Sequence, residues 1–167
     1  MSIPGQGTAV SWEEPGGPAK RASAAGLQVR ALTMQTSKRV EIHDLTETVA
    51  EIVRASGIAA GLVTVSTLHT TTAVLVNEPQ TALLDDIEHL LERLVPRGED
   101  WKHNDPRYSD CDRQNADAHL RAIMLGNSVT LQIEGGAPLL GEWQRVLLVE
   151  LDGPRKRRLS VQILAAG

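Results

Sequence analysis

Phenylalanine is missing from this chain, and only three tryptophans and one tyrosine stand among its 167 residues. A core without phenylalanine has to be assembled from leucine, valine, isoleucine and alanine. So few aromatics also exclude a stacking platform for single-stranded nucleic acid, which needs several exposed rings. Positive charge is in short supply as well, with 17 Lys and Arg against 21 Asp and Glu and a net charge of -4. Nucleic-acid binders carry a basic excess or stripe, so no nucleic-acid partner is expected. The single dense basic run, Arg155-Lys156-Arg157-Arg158, is short and suits a small phosphorylated ligand better than a polymer.

Cysteine is nearly absent too. Cys111 stands alone, which rules out an intrachain disulfide and points to a reducing, cytoplasmic compartment. Its neighbours Asp110, Asp112 and Arg113 are of mixed charge and give no cue for a reactive thiolate. No run approaches the ~20 apolar residues of a membrane span, and no apolar secretory core opens the sequence. No membrane partner is expected.

Residues 1–25 are rich in Gly, Pro, Ala and Ser and show no hydrophobic period, so they read as a flexible extension to a domain of residues 26–167. Trp12 is the one residue there able to pin the extension down. Alternation of apolar and polar residues predicts strands over 27–31, 39–43, 62–68, 71–77, 128–134 and 157–164. Residues 143–151 are apolar on both phases, the pattern of a strand buried on both faces. Helical spacing marks 45–56, 81–95 and 115–125. Asp44 three residues before Glu47 resembles a capping box, and Gly57 supplies a stop. Helices and strands do not alternate regularly, so a mainly antiparallel α+β fold is preferred to a doubly wound one. The polar stretch 97–114 has no period, and loops that long inside a domain are often functional.

Polar residues able to carry chemistry recur at element ends. His69 closes a strand before Thr70, Thr71 and Thr72, and Glu78 follows the next strand. His103 lies in the long loop, and His119 lies one helical turn after Asn115, on the same face. Three imidazoles and a carboxylate are ligands for a divalent ion, with a position left open for chemistry. Glu78 has an alternative role as general acid or base, and Asp86 and Asn115 are further catalytic candidates. The other reading is that each histidine is a hydrogen-bonded structural residue. Arg155 and Arg157 share the phase of Leu159, Val161 and Ile163, so they continue an inward face. Inward arginines need acidic partners or a bound anion. Glu150 and Asp152 are possible partners, which leaves an ion-pair network and phosphate binding both open.

His69-Thr70-Thr71-Thr72-Ala73 with Asn77-Glu78, then Asp86, His103, Asn115-Ala116-Asp117-Ala118-His119, Gly141-Glu142-Trp143-Gln144 and Glu150-Leu151-Asp152-Gly153-Pro154-Arg155 resemble, in order and spacing, the YjbQ-like family. The resemblance runs from about Leu27 to Leu164. It implies an α+β domain of two packed sheets with two to three helices, assembled as a homotrimer. It also implies a secondary thiamine-phosphate synthase activity. In that activity a hydroxymethylpyrimidine diphosphate joins a thiazole phosphate and pyrophosphate leaves. Thr70, Thr71, Arg155 and Arg157 would then hold phosphate, with a divalent metal, zinc or magnesium, on His69, His103 and His119. A metal-dependent hydrolase and a non-catalytic ligand-binding trimer are the alternatives.

Overall fold

Strand registers turn the period-2 pattern into two antiparallel sheets. The computed structural model describes residues 10–13 and 26–167. The larger sheet runs in the order β1 (Val10–Glu13), β2 (Leu27–Gln35), β9 (Lys156–Ala165), β4 (Gly61–Thr67), β6 (Ser128–Glu134), β7 (Ala137–Pro138). The smaller sheet has β8 (Arg145–Glu150) between β3 (Glu41–Asp44) and β5 (Thr72–Asn77). Three helices, α1 (Thr46–Ser56), α2 (Thr81–Leu94) and α3 (Ala116–Leu125), complete the expected α+β domain, with a 3-10 turn at Lys102–Asn104.

Alternation decides which side chains meet. Leu32 and Met34 of β2, Val63 and Val65 of β4, and Leu159, Val161 and Ile163 of β9 face Val74, Val146 and Leu148 of the smaller sheet. Val49, Ile52 and Val53 of α1 join the same cluster. A second cluster lies on the opposite face of the smaller sheet, where Ala73, Val149 and Leu151 pack on Leu91 of α2 and on Ala118 and Ala122 of α3. β8 is thus sandwiched between two apolar layers, and all its residues from Val146 to Glu150 are buried. That is why its sequence is apolar on both phases.

Four details differ from the sequence reading. Val10–Glu13 pairs antiparallel with β2 along Met34 to Ala31, so part of the expected extension is a strand; the remainder of 1–25 lies outside the described residues. α1 starts without a capping box: its N-cap is Leu45, and the Asp44 carboxylate instead accepts the Thr46 N–H at 2.8 Å. The first long strand runs on to Gln35. The eighth strand begins only at Arg145, leaving Trp143 exposed in the preceding turn. Close backbone approach fixes two glycines: a Cβ on Gly61 would stand 2.0 Å from the Leu164 carbonyl oxygen, and one on Gly153 2.2 Å from that of Lys38.

Candidate functional site

The β4–β5 connection and α3 face one another across a cleft of about 520 Å³. Thr67, Leu68, His69, Thr70 and Thr72 form one wall, and His119, Ala122 and Ile123 form the other. The connection is held by its own hydroxyls. Thr67 is hydrogen-bonded to Thr72, and its Oγ1 accepts the His69 N–H at 3.3 Å. His69 Nε2 accepts the Arg158 N–H at 2.9 Å, which places the imidazole proton on Nδ1. Burial holds the His69 pKa below its ordinary value, helped by the Arg157 and Arg158 guanidinium groups and opposed by Glu150.

His119 comes from the second turn of α3. Its pKa is lowered first by burial and then by His103, while Asp152 and Asp117 pull the other way. His103 reaches it from the 3-10 turn, because Asn104 Oδ1 accepts the Ala116 N–H at 3.0 Å and ties that turn to the start of α3. The two rings meet edge to face, centroids 5.0 Å apart and planes at 82°. Trp101, Lys102, His103, Ala116, His119 and Leu120 line a second groove of about 310 Å³ beside the pair. Trp101 is anchored there by its indole N–H, which donates to the Pro96 carbonyl at 3.0 Å.

The structure therefore gathers two of the three expected metal-ligating histidines, with His69 on the facing wall of the same cleft. Among the described residues no set of three His, Cys, Asp or Glu side chains stands close enough to hold an ion. Of the expected catalytic residues, neither Glu78 nor Asp86 lines the cleft, and Asp86 is exposed on α2. Asn115 is buried at the N-cap of α3, its amide donating to Asp152 at 2.8 Å.

The expected phosphate ligands divide in the same way. Thr70 is exposed in the cleft, but Thr71 is buried and its hydroxyl accepts from Arg157 Nη2 at 3.1 Å. Arg157 is 2% exposed and gripped by Glu150, with Nε donating at 2.6 Å. Its Nε and Nη2 are committed to Glu150 and Thr71. Arg155 stands 3.0 Å from Asp152. The inward phase of these arginines was legible in sequence, and Glu150 and Asp152 stand opposite them.

Sequence reasoning missed the contribution of Arg39, which bonds Asp152 at 3.1 Å and Asp117 at 3.0 Å. It also missed Arg121, which donates to the Val95 carbonyl at 3.1 Å and pairs with Glu92. Arg39 lies 78 residues from Asp117, and no local pattern announces such a pairing. The signal available was the burial phase of Asp117, which falls on the same helical face as Ala118, Arg121 and Ala122.

A family model described as "UPF0047 protein YjbQ-like" matches residues 30–166. A "UPF0047 protein" of Archaeoglobus fulgidus is 49% identical over 133 residues, covering 80% of this chain and 98% of that one. A crystal structure of a YbjQ-like protein of unknown function from Sulfolobus solfataricus P2 superimposes with a TM-score of 0.77 at 34% identity, over 84% of this chain and 98% of that one. A hypothetical protein from Aeropyrum pernix K1 gives a TM-score of 0.76 at 37% identity, over 83% and 99%. These relatives carry a family number or the words "unknown function" or "hypothetical", and no activity. They overturn the expected thiamine-phosphate synthase and equally lend nothing to the hydrolase or the ligand-binding trimer.

Proposed function

This chain belongs to the YjbQ-like family, UPF0047, and from that premise we propose that it is a metal-binding protein holding one divalent transition-metal ion on His103 and His119. The separation of the two rings carries the reading. Zinc sits about 2.0–2.1 Å from an imidazole nitrogen, so about 3.2 Å from the ring centre. Two imidazoles on one ion then have centroids about 4.5 Å apart at a right angle and about 5.2 Å apart at the tetrahedral angle. The observed separation, 5.0 Å, lies between these, and the edge-to-face rings have to turn for both lone pairs to meet on one ion.

Protonation agrees with this. Burial and the neighbouring His103 favour the neutral form of His119, and a neutral imidazole has the lone pair that a metal takes. Zinc or a similar ion suits nitrogen donors better than magnesium, which prefers carboxylates, phosphates and water. Two protein ligands leave the remaining positions open toward the cleft, where His69 and Thr70 line the opposite wall.

Zinc titrated by calorimetry into chelator-stripped protein tests the reading. One ion per chain is expected, with affinity reduced about tenfold to a hundredfold or more in His119→Ala and in His103→Ala. Equal binding in wild type and both variants would refute it.

Assembly as a homotrimer and a cytoplasmic location form part of the same proposal. Leu27, Val29, Leu62 and Leu164 are partly exposed on the outer face of the larger sheet, in neighbouring registers. An apolar face of that kind supports association of copies. Light scattering on the purified protein reads the mass directly. The lone Cys111 supports a reducing compartment, and no helix of the described residues is long and apolar enough to cross a membrane.

A further inference from the structure

Next to the N-cap of α3 one buried carboxylate gathers three guanidinium groups. Asp152, 2% exposed, accepts from Asn115 Nδ2 at 2.8 Å, Arg39 Nη1 at 3.1 Å and Arg113 Nε at 3.3 Å. Arg155 Nη2 lies 3.0 Å from the same Oδ2. Three hydrogen bonds and the Arg155 ion pair converge on this one carboxylate, most of them on Oδ2. Asp117, the second buried carboxylate, is already occupied by Arg39 at 3.0 Å and approached by Arg121 at 3.8 Å. Arg121 has its own further partner in Glu92.

Three guanidinium groups, Arg39, Arg113 and Arg155, thus share two carboxylates, and donors are left over. Arg113 commits only Nε, and its side chain is 49% exposed. Arg155 Nη2 is shielded from solvent yet makes no hydrogen bond, because its approach to Asp152 is an ion pair at an unsuitable angle. A shielded guanidinium N–H without an acceptor is costly. Surplus positive charge beside forked donors is what a planar or tetrahedral oxyanion recognises.

We infer that Arg113 and Arg155, oriented by Asp152 and backed by Arg39, form a binding site for a small oxyanion, the shared chemistry of a phosphate group and a carboxylate. Arg157 and Thr71 lie outside it, since Arg157 turns Nε and Nη2 to Glu150 and Thr71. The site shares no proposed ligand with the imidazole pair, although Asp152 acts on His119, and its ligand needs no metal.

Calorimetric titration of chelator-stripped protein with inorganic phosphate and, separately, with malonate tests the inference at low ionic strength. One anion per chain is expected, bound about tenfold or more weakly by Arg113→Gln and by Arg155→Gln, the loss of a charged hydrogen bond. Tighter binding of phosphate identifies a phosphate ligand, and tighter binding of malonate a carboxylate; either supports the site. Arg113→Gln should melt close to wild type, because a half-exposed ion pair contributes little. His119→Ala should bind the anion like wild type, so loss of the metal reading leaves this one standing. Absence of saturable binding for both anions at millimolar concentration overturns the inference, as do equal affinities in wild type and both arginine variants.

Discussion

Replacing Arg157 by methionine tests whether the arginine is a structural ion or a ligand-binding group. Glu150 is fully buried and its carboxylate accepts from five donors. These are Arg157 Nε and Nη2, Thr36 Oγ1 at 3.0 Å, and the backbone N–H groups of Leu151 at 2.9 Å and Asp152 at 2.8 Å. Methionine fills the space of the arginine stem but removes both charged donors and the partner of the Thr71 hydroxyl. Breaking a buried pair by deleting one member costs about 3–5 kcal/mol, because the other charge is left without compensation. Three neutral donors remain on Glu150, which places the expected loss toward the lower end. At about 2–4 °C per kcal/mol for a chain of this size, melting should fall by roughly 6–20 °C. Urea and thermal unfolding followed by circular dichroism would measure it, with Arg157→Met/Glu150→Gln as the comparison. That double variant should recover part of the loss, since the stranded carboxylate becomes neutral. A loss under about 1 kcal/mol, the level of an exposed pair, would refute the reasoning and free Arg157 for another role.

The imidazoles should also make stability pH-dependent. His69 and His119 both titrate below 6.5 in the folded protein, so the unfolded chain binds protons first as pH falls. Their contribution is whole above about pH 6.5 and is lost as pH drops through the window beneath it. Melting temperatures of metal-free protein from about pH 7.5 to about pH 5 should decline, with a shallower slope in His69→Gln/His119→Gln; an identical slope in that variant would contradict the assignment. Gly153→Ala would place a Cβ 2.2 Å from the Lys38 carbonyl oxygen and 2.9 Å from Thr36 Oγ1. It should cost about 1–3 kcal/mol in urea unfolding, the usual price of overpacking, and wild-type stability would show that the turn yields freely. Asn104→Ala removes the acceptor of the Ala116 N–H; zinc affinity should weaken although no proposed ligand is touched, and unchanged affinity would show that the 3-10 turn is positioned by other contacts.

The fold was legible because its pattern is local. Leu159, Val161 and Ile163 announce a half-buried strand, and the doubly apolar β8 announces a layer on each side. The start of α1 was misread because Asp44 satisfies Thr46 rather than a later turn, a difference of one backbone position. Part of the site was legible too, since the inward phase of Arg155 and Arg157 called for acids and Asp152 and Glu150 supply them. Which histidines meet was beyond sequence. His103 reaches His119 through the bond between Asn104 and Ala116, across a loop with no period. The role of Arg39 depends on bridging two distant segments, and nothing in its local pattern records that.

A crystal of the metal-free protein soaked in zinc, measured at the zinc absorption edge, tests the central claim most directly. The account requires one anomalous peak per chain between His103 and His119, about 2.0–2.1 Å from one nitrogen of each ring. An anomalous map with no peak there, and the two rings still in edge-to-face contact, would contradict it.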